Sequence, residues 1–282
     1  MLSVILALAA ACSWGTSDFL GGLKSRTVSL PSVLVVSQIA GLVLMAAVAL
    51  VRHASPPGWP ALGFAVLAGG CGLAGLATLY RGMAVGMMSV VAPIAALAPV
   101  IPILFGLLTG ERPRPLQVAG MVVALLGVIL ISAQGSSASA QVSPRNFWTG
   151  VVLAAMAAVA FGGLFLTIHL ASQTDVVWAV FIQRIAAVVL LGAVVLVRRE
   201  SIHVTRSDLP SLLAIGGLDV AGTTLFAAAS AVGLVSLASV LASLHPVTTV
   251  LMARFVVNER LRRVQQAGFL VSMVGVALIS AG

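Results

Sequence analysis

The chain has 282 residues, of which 60% are hydrophobic and only 8% charged, and its mean hydropathy is +1.17. So little polar surface cannot cover a water-soluble globule, which excludes a soluble enzyme or regulator and implies an integral protein of the cell membrane, with the lipid bilayer as its solvent. The formal net charge of +8 does not point to nucleic acid, because Lys and Arg stand singly or in twos and threes between apolar runs and build no basic helix face; anionic lipid headgroups are the fitting counter-charge.

A membrane-crossing helix needs about 20 mostly apolar residues. Cutting the chain at charged and Pro/Gly-rich breaks predicts ten such spans, near 3–22, 32–51, 60–80, 84–108, 115–134, 147–170, 176–197, 208–231, 234–257 and 262–281. No Lys or Arg precedes Cys12 and the apolar run continues past it, so the first segment reads as an uncleaved span rather than a signal peptide. Cys12 and Cys71 both fall inside apolar runs and read as small core residues. The longest polar connector, 135–146, is rich in Ser and Gly and reads as a mobile linker between a first five-span unit, 1–134, and a second, 147–282. The other loops are short and leave no room for a soluble catalytic domain.

The second unit repeats the first. Gly86, Ser89 and Pro99-Val100 return 147 positions later as Gly233, Ser236 and Pro246-Val247. After a one-residue slip, Glu111-Arg112, Gln117, Gly120 and Gly127 return as Glu259-Arg260, Gln265, Gly268 and Gly275. An odd number of spans per copy forces the second copy to start from the opposite face of the membrane, so the expected fold is all-α, ten transmembrane helices as two inverted-topology repeats of five. Call the face that holds Met1 side A. Its loops carry Arg52, Arg112 and Arg114, whereas the side B loops carry Lys24, Arg26, Arg81, Arg145, Arg198, Arg199, Arg206, Arg260, Arg262 and Arg263. Three against ten places side B in the cytosol and both termini outside.

Charge at the bilayer centre is costly, so an ionisable residue there is a candidate functional group. Counted from side A at about 1.5 Å per residue, Arg184 lies ~13 Å deep, His245 ~16 Å and Asp219 ~18 Å. An Arg184–Asp219 pair with His245 beside it is expected, either as a substrate or proton site or as a structural ion pair with a hydrogen-bonded histidine. The first repeat places Gln38 opposite Arg184, and Gly72 and Ala98 opposite Asp219 and His245. In the first span Trp14, Ser17 and Asp18 lie close together. Asp18 is either part of a transport path or an interfacial carboxylate paired with Lys24 or Arg81, and Trp14 is either packing or a ligand contact. Ser236, Ser239 and Ser243 form a stripe on the ninth span that either lines the path or glues helices together. Pro93, Pro99, Pro102 and Pro246 interrupt helices, giving kinks or a carbonyl-lined site, with Pro99 and Pro246 matched between the repeats. Gly82-xxx-Gly86 and Gly106-xxx-Gly110 permit close helix contact. Glu111 and Glu259 are expected at the start of the following helices, paired with the neighbouring Arg. Tyr80, ending the third span, and His53, His169 and His203 read as interfacial.

The Trp14-Gly15 pair in the first span, the Pro99 and Pro246 spans, and the two Glu-Arg pairs followed by Gly120 and Gly268 resemble the drug/metabolite transporter superfamily, specifically its EamA-type ten-helix members. The likeness runs over essentially the whole chain. It implies an exporter of amino acids, other metabolites or toxic compounds, a path lined by helices of both repeats, and cytosolic termini, the opposite of what loop charge indicates. The expected activity is secondary transport of a small-molecule substrate by alternating access, with no metal or organic cofactor; neither glycine pair demands a dimer, so a monomer is expected.

The rival classes are an intramembrane hydrolase and a channel-like pore. Gly15-Thr16-Ser17-Asp18 offers a GxS serine and Gly216-Gly217-Leu218-Asp219 approaches a membrane aspartate motif, but no base for the serine and no second carboxylate at matching depth is evident. Walker and HExxH motifs are missing from the sequence. Asymmetric central charges in an inverted repeat fit alternating access better than an open channel.

Overall fold

In lipid every backbone N–H and C=O must find its partner inside its own segment, so ten apolar stretches become ten helical spans. The computed structural model describes residues 1–52, 57–86, 88–132, 144–257 and 262–282, with the backbone alone at 88 and 89. All ten spans have the length and apolarity to cross a membrane. Eight are single helices: α1 (Leu2–Lys24), α2 (Leu30–Arg52), α3 (Trp59–Val85), α6 (Pro115–Ser132), α7 (Pro144–Ser172), α8 (Val176–Arg198), α9 (Leu209–Val232) and α12 (Arg263–Ala281). The fourth and ninth spans are each broken in two, α4 (Met88–Ala95) with α5 (Val100–Leu108), and α10 (Val235–Ala242) with α11 (His245–Val256). The third span runs five residues past its expected end at Tyr80, and the sixth starts at Pro144 within the expected linker. His53, the Glu259-Arg260 pair and residues 133–143 lie outside the described residues.

The breaks sit at the prolines matched between the repeats. Pro99 is the residue before α5 and Pro246 lies in the first turn of α11, where a missing N–H costs nothing. Of the carbonyls that these prolines free, Ala95 O is taken up by a tight turn, accepting from Ala98 N–H at 3.1 Å.

Packing follows the repeat. α1 lies along α9 and α3 along α7, which are the same contact with the repeats exchanged, while α6 packs on α12 and α2 on α8, each helix against its own counterpart. That is the contact pattern of two inverted units related by a pseudo-two-fold axis. The buried faces are small, with Ala7, Ala10, Ala68, Ala124, Ala154 and Ala157 fully enclosed, whereas Leu50, Leu108, Leu196 and Val197 stand outward. Lipid tails are as apolar as leucine, so nothing drives leucine inward, and close helix approach through small residues decides which face is buried. At the α6–α12 seam a Cβ on Gly120 would stand 2.7 Å from Ile279 N, and one on Gly275 would stand 2.4 Å from Ala124 N. The repeated glycines therefore let two backbones touch.

Two expectations fail here. Gly106-xxx-Gly110 does not pack a helix: Gly106 makes room for the Glu111 side chain, and Gly110, at φ +98°, ends α5 in a left-handed turn. Glu111 does not start its own next helix or pair with Arg112. Its carboxylate instead reaches into the other repeat and accepts the backbone N–H groups of Val235 and, at 3.2 Å, Ser236, the unpaired donors at the N-terminus of α10. Every residue of α10 is buried. On side A, then, the repeats are joined by a carboxylate-capped, fully enclosed helix, with Arg52 adding a two-point ion pair to Asp175. On side B, Lys24 pairs with Asp208 at 2.6 Å and His203 N–H donates to Ser32 Oγ at 3.0 Å.

Candidate functional site in the centre of the bundle

The expected pair of Arg184 and Asp219 forms, at 2.5 Å. α8 and α9 carry its members, and α2 brings Gln38 between them: Arg184 Nη1 also donates to Gln38 Oε1 at 2.7 Å, and Gln38 Nε2 donates to Asp219 Oδ2 at 3.2 Å. Arg184 Nη2 donates to Thr223 Oγ1 at 2.8 Å, and that hydroxyl donates on to the Asp219 carbonyl at 3.0 Å. Arg184 is only 3% exposed and its two terminal nitrogens are committed to three side chains on α2 and α9. Removal of a guanidinium from water is compensated only when its partners are this complete, and Nε alone is left without one. Gln38 is thus the uncharged counterpart, in the first repeat, of the arginine it holds.

His245 does not join this cluster. It faces Asp18, with Nδ1 2.9 Å from Oδ2, so Asp18 pairs neither with Lys24, which is taken by Asp208, nor with Arg81. The reason lies next door in sequence: a Cβ on Gly15 would stand 2.4 Å from the His245 carbonyl and 2.5 Å from Thr248 Cβ, so glycine lets α1 and α11 meet backbone to backbone. Thr249 Oγ1 donates to Gly15 O at 3.0 Å across the same contact. His245, first residue after the break in the ninth span, is thereby set against the face of α1 that carries Asp18. This second pair is open, with side chains 37% and 53% exposed. Asp18 lies six residues before the side B end of α1, so the exposed pair stands toward that face of the membrane.

Trp14 connects the two clusters. It lies one turn before Asp18 on the same face of α1, donates from Nε1 to the Asp219 carbonyl at 3.2 Å, and stands edge-on to His245 with ring centroids 6.4 Å apart. Phe165 and Phe226 flank it at 5.8 and 5.9 Å, and Gly222 leaves the space its indole fills. Tyr80, expected only at the interface, lies one to two turns inside α3 and within electrostatic range of both Asp18 and Asp219.

The remaining expected residues are placed elsewhere. Ser239 and Ser243 donate to the Ser236 and Val240 carbonyls of their own span, at 3.0 and 2.7 Å, and are buried; they glue rather than line. Ser17 donates to Ile215 O at 2.9 Å, and Asp219 has an arginine where an aspartyl dyad would need a carboxylate. Among the described residues neither hydrolase constellation is assembled. Thr223, Phe165 and Phe226 were missed by sequence reasoning, although Thr223 and Phe226 follow Asp219 by four and seven residues and so share its helix face. Phe165, on α7, carried no signal.

Residues 1–133 and 148–281 each match the family model described as the EamA-like transporter family. The chain belongs to that family. A solved structure, titled only as the crystal structure of a protein, superposes with a TM-score of 0.81 over 99% of this chain and 96% of its own, at 19% identity, and so shares the fold. No curated protein matches the chain. The transporter is thus a multi-pass integral membrane protein of two EamA repeats, and the polar centre lies where those repeats meet.

Proposed function

We infer that the chain is a secondary transporter that exports a small organic metabolite, amino acid or toxic compound by alternating access. The observation that carries this reading is the contrast along the ninth span. Its side A half, α10, is buried over its whole length and capped by Glu111 from the other repeat, whereas α11 has Val247 as its one buried residue and presents His245 to the open Asp18 pair. A polar centre sealed on one face and exposed beyond the seal is what one state of an alternating cycle requires, and inverted repeats provide the reciprocal state by exchanging roles.

The test is a counterflow screen with purified protein in liposomes: accumulation of a labelled solute against its internal pool is expected, and chemical conversion of the solute without net movement overturns the reading. For orientation, loop charge supports a cytosolic side B. A reporter fluorescent only in the cytosol, fused after Gly282, is expected to stay dark; bright cells would reverse the orientation.

A further inference from the structure

We propose that the side B end of α7 carries a binding site for an anionic phospholipid, with the headgroup phosphate on Arg145 and an acyl chain in the groove beside Trp148, Val152 and Leu153. The site lies outside the polar centre and does not depend on what the transporter carries.

Helix length places the groove in the membrane. α7 has 29 residues and is ~43 Å long at about 1.5 Å per residue, against a hydrocarbon core about 30 Å thick, so its first turns stand at headgroup level. Arg145, Trp148, Thr149, Val152 and Leu153 recur at the spacing of one helix face and line an open groove of about 410 Å³. Val152 and Leu153 lie ~10 Å deeper than Arg145, at the level of acyl chains, with the exposed indole of Trp148 between. Glycines explain why this face is left open. A Cβ on Gly86, which ends α3, would stand 2.7 Å from Gly150 Cα, and one on Gly82 would stand 3.3 Å from Leu153 Cβ. α3 thus meets α7 backbone to backbone at Gly150, and among the described residues no helix covers the neighbouring face at Trp148 and Val152, which stay 64% and 56% exposed.

Charge complementarity decides the occupant. Lys24 is neutralised by Asp208 and Arg52 by Asp175, but among the described residues no acidic side chain pairs with the exposed Arg145. A guanidinium left uncompensated at headgroup depth attracts a phosphate, whose oxygens its planar fork can bind in a bidentate way. Every phospholipid has that phosphate. An anionic lipid is preferred because its headgroup has no ammonium to repel Arg145 and cancel the attraction. Further along the groove nothing polar is on offer: the Thr149 hydroxyl is spent on the Arg145 carbonyl at 2.8 Å, and Val152 and Leu153 are apolar. Trp148 fits the boundary between the two regions, since an indole has an apolar body and one N–H donor. The groove therefore presents a cation and then an apolar wall, in the order in which a phospholipid presents its phosphate and its chain.

The test uses the full chain in bilayers of equal parts phosphatidylglycerol and phosphatidylcholine, one or the other brominated near the carbonyl end of its acyl chains. Quenching of Trp148 is read as the difference between the protein and its Trp148→Phe counterpart, which removes the signal of the other three tryptophans. Phosphatidylglycerol is expected to occupy the groove about fivefold more than phosphatidylcholine, the effect of one basic side chain at a membrane surface. Arg145→Gln should bring that preference below about twofold. Val152→Phe, which fills the groove and leaves every charge in place, should lower it as well. Both positions are exposed, so neither substitution is expected to shift the melting transition. Equal quenching by the two lipids, or a preference for phosphatidylcholine, would overturn the proposal. So would a phosphatidylglycerol preference that survives Arg145→Gln, which puts the headgroup elsewhere, or one that survives Val152→Phe, which leaves surface charge acting without the groove.

Discussion

Two ion pairs are linked through Trp14 in this transporter, and they differ in nearly every physical respect. Arg184–Asp219 is tied into α2, α8 and α9 by Gln38 and Thr223, with the Arg184 side chain 3% and the Asp219 side chain 29% exposed. Asp18–His245 has one contact, 2.9 Å long, and both members reach open space. The first cannot release a partner without stranding a charge; the second can part at little cost, because both side chains are largely exposed. Buried charge at the bilayer centre is therefore not enough to identify a binding group. The degree to which its hydrogen bonds are already spent separates scaffold from site.

The largest effect that would sharpen this contrast is expected at Asp219. Replacing it by Ala strands Arg184 and should cost about 3 to 5 kcal/mol, seen as a collapse of the melting transition in detergent, whereas Arg184→Leu combined with Asp219→Leu should retain the fold. A double variant as unstable as Asp219→Ala would show that the pair is more than mutual compensation. Next comes Gly15, where Ala places a Cβ against the His245 carbonyl, a backbone atom that cannot move aside. A loss of about 1 to 3 kcal/mol is expected, together with loss of the α1–α11 contact that holds Asp18 to His245. Wild-type melting by Gly15→Ala would contradict the close approach.

Glu111→Gln tests the other end of the ninth span. It keeps one acceptor for the Val235 and Ser236 N–H groups but loses the charge facing the helix N-terminus, a cost of about 1 kcal/mol. The readout is labelling of a cysteine placed at Ser236, which should rise in the variant; unchanged protection would mean that burial alone seals side A. The smallest effect is expected at the Lys24–Asp208 surface pair. Lys24 first, then the Thr205 hydroxyl and N–H, holds the Asp208 carboxyl down to about 2. A depressed carboxylate contributes stability above its unfolded value of 3.8 and loses it as pH falls through about 2, so Lys24→Ala should change melting only slightly at neutral pH and narrow the difference further in acid.

The residues show why the fold was legible and the site only half so. Spans and repeat are properties of local hydropathy and spacing, and both the Pro99 and Pro246 breaks and the Gly120 and Gly275 contacts carry sequence marks. Depth counting also brought Arg184 and Asp219 together, because equal distance from one face is a one-dimensional quantity. It failed for His245, whose partner is chosen by which helix faces α11, and that is set by Gly15, a residue whose effect lies in the side chain it lacks. Glu111 failed for the same reason: a carboxylate next to a helix start was paired with its own chain neighbours, while the nearest unpaired N–H groups belong to the opposite repeat. Contacts between repeats depend on rotation about helix axes, which hydropathy does not record at small-residue interfaces.

The division of labour between the two pairs is tested most directly by one melting experiment, with wild type, Asp18→Asn and Asp219→Ala scanned in detergent. Asp18→Asn is expected to melt within about 0.5 kcal/mol of wild type, while Asp219→Ala melts far lower. An Asp18→Asn protein as unstable as Asp219→Ala would contradict the account.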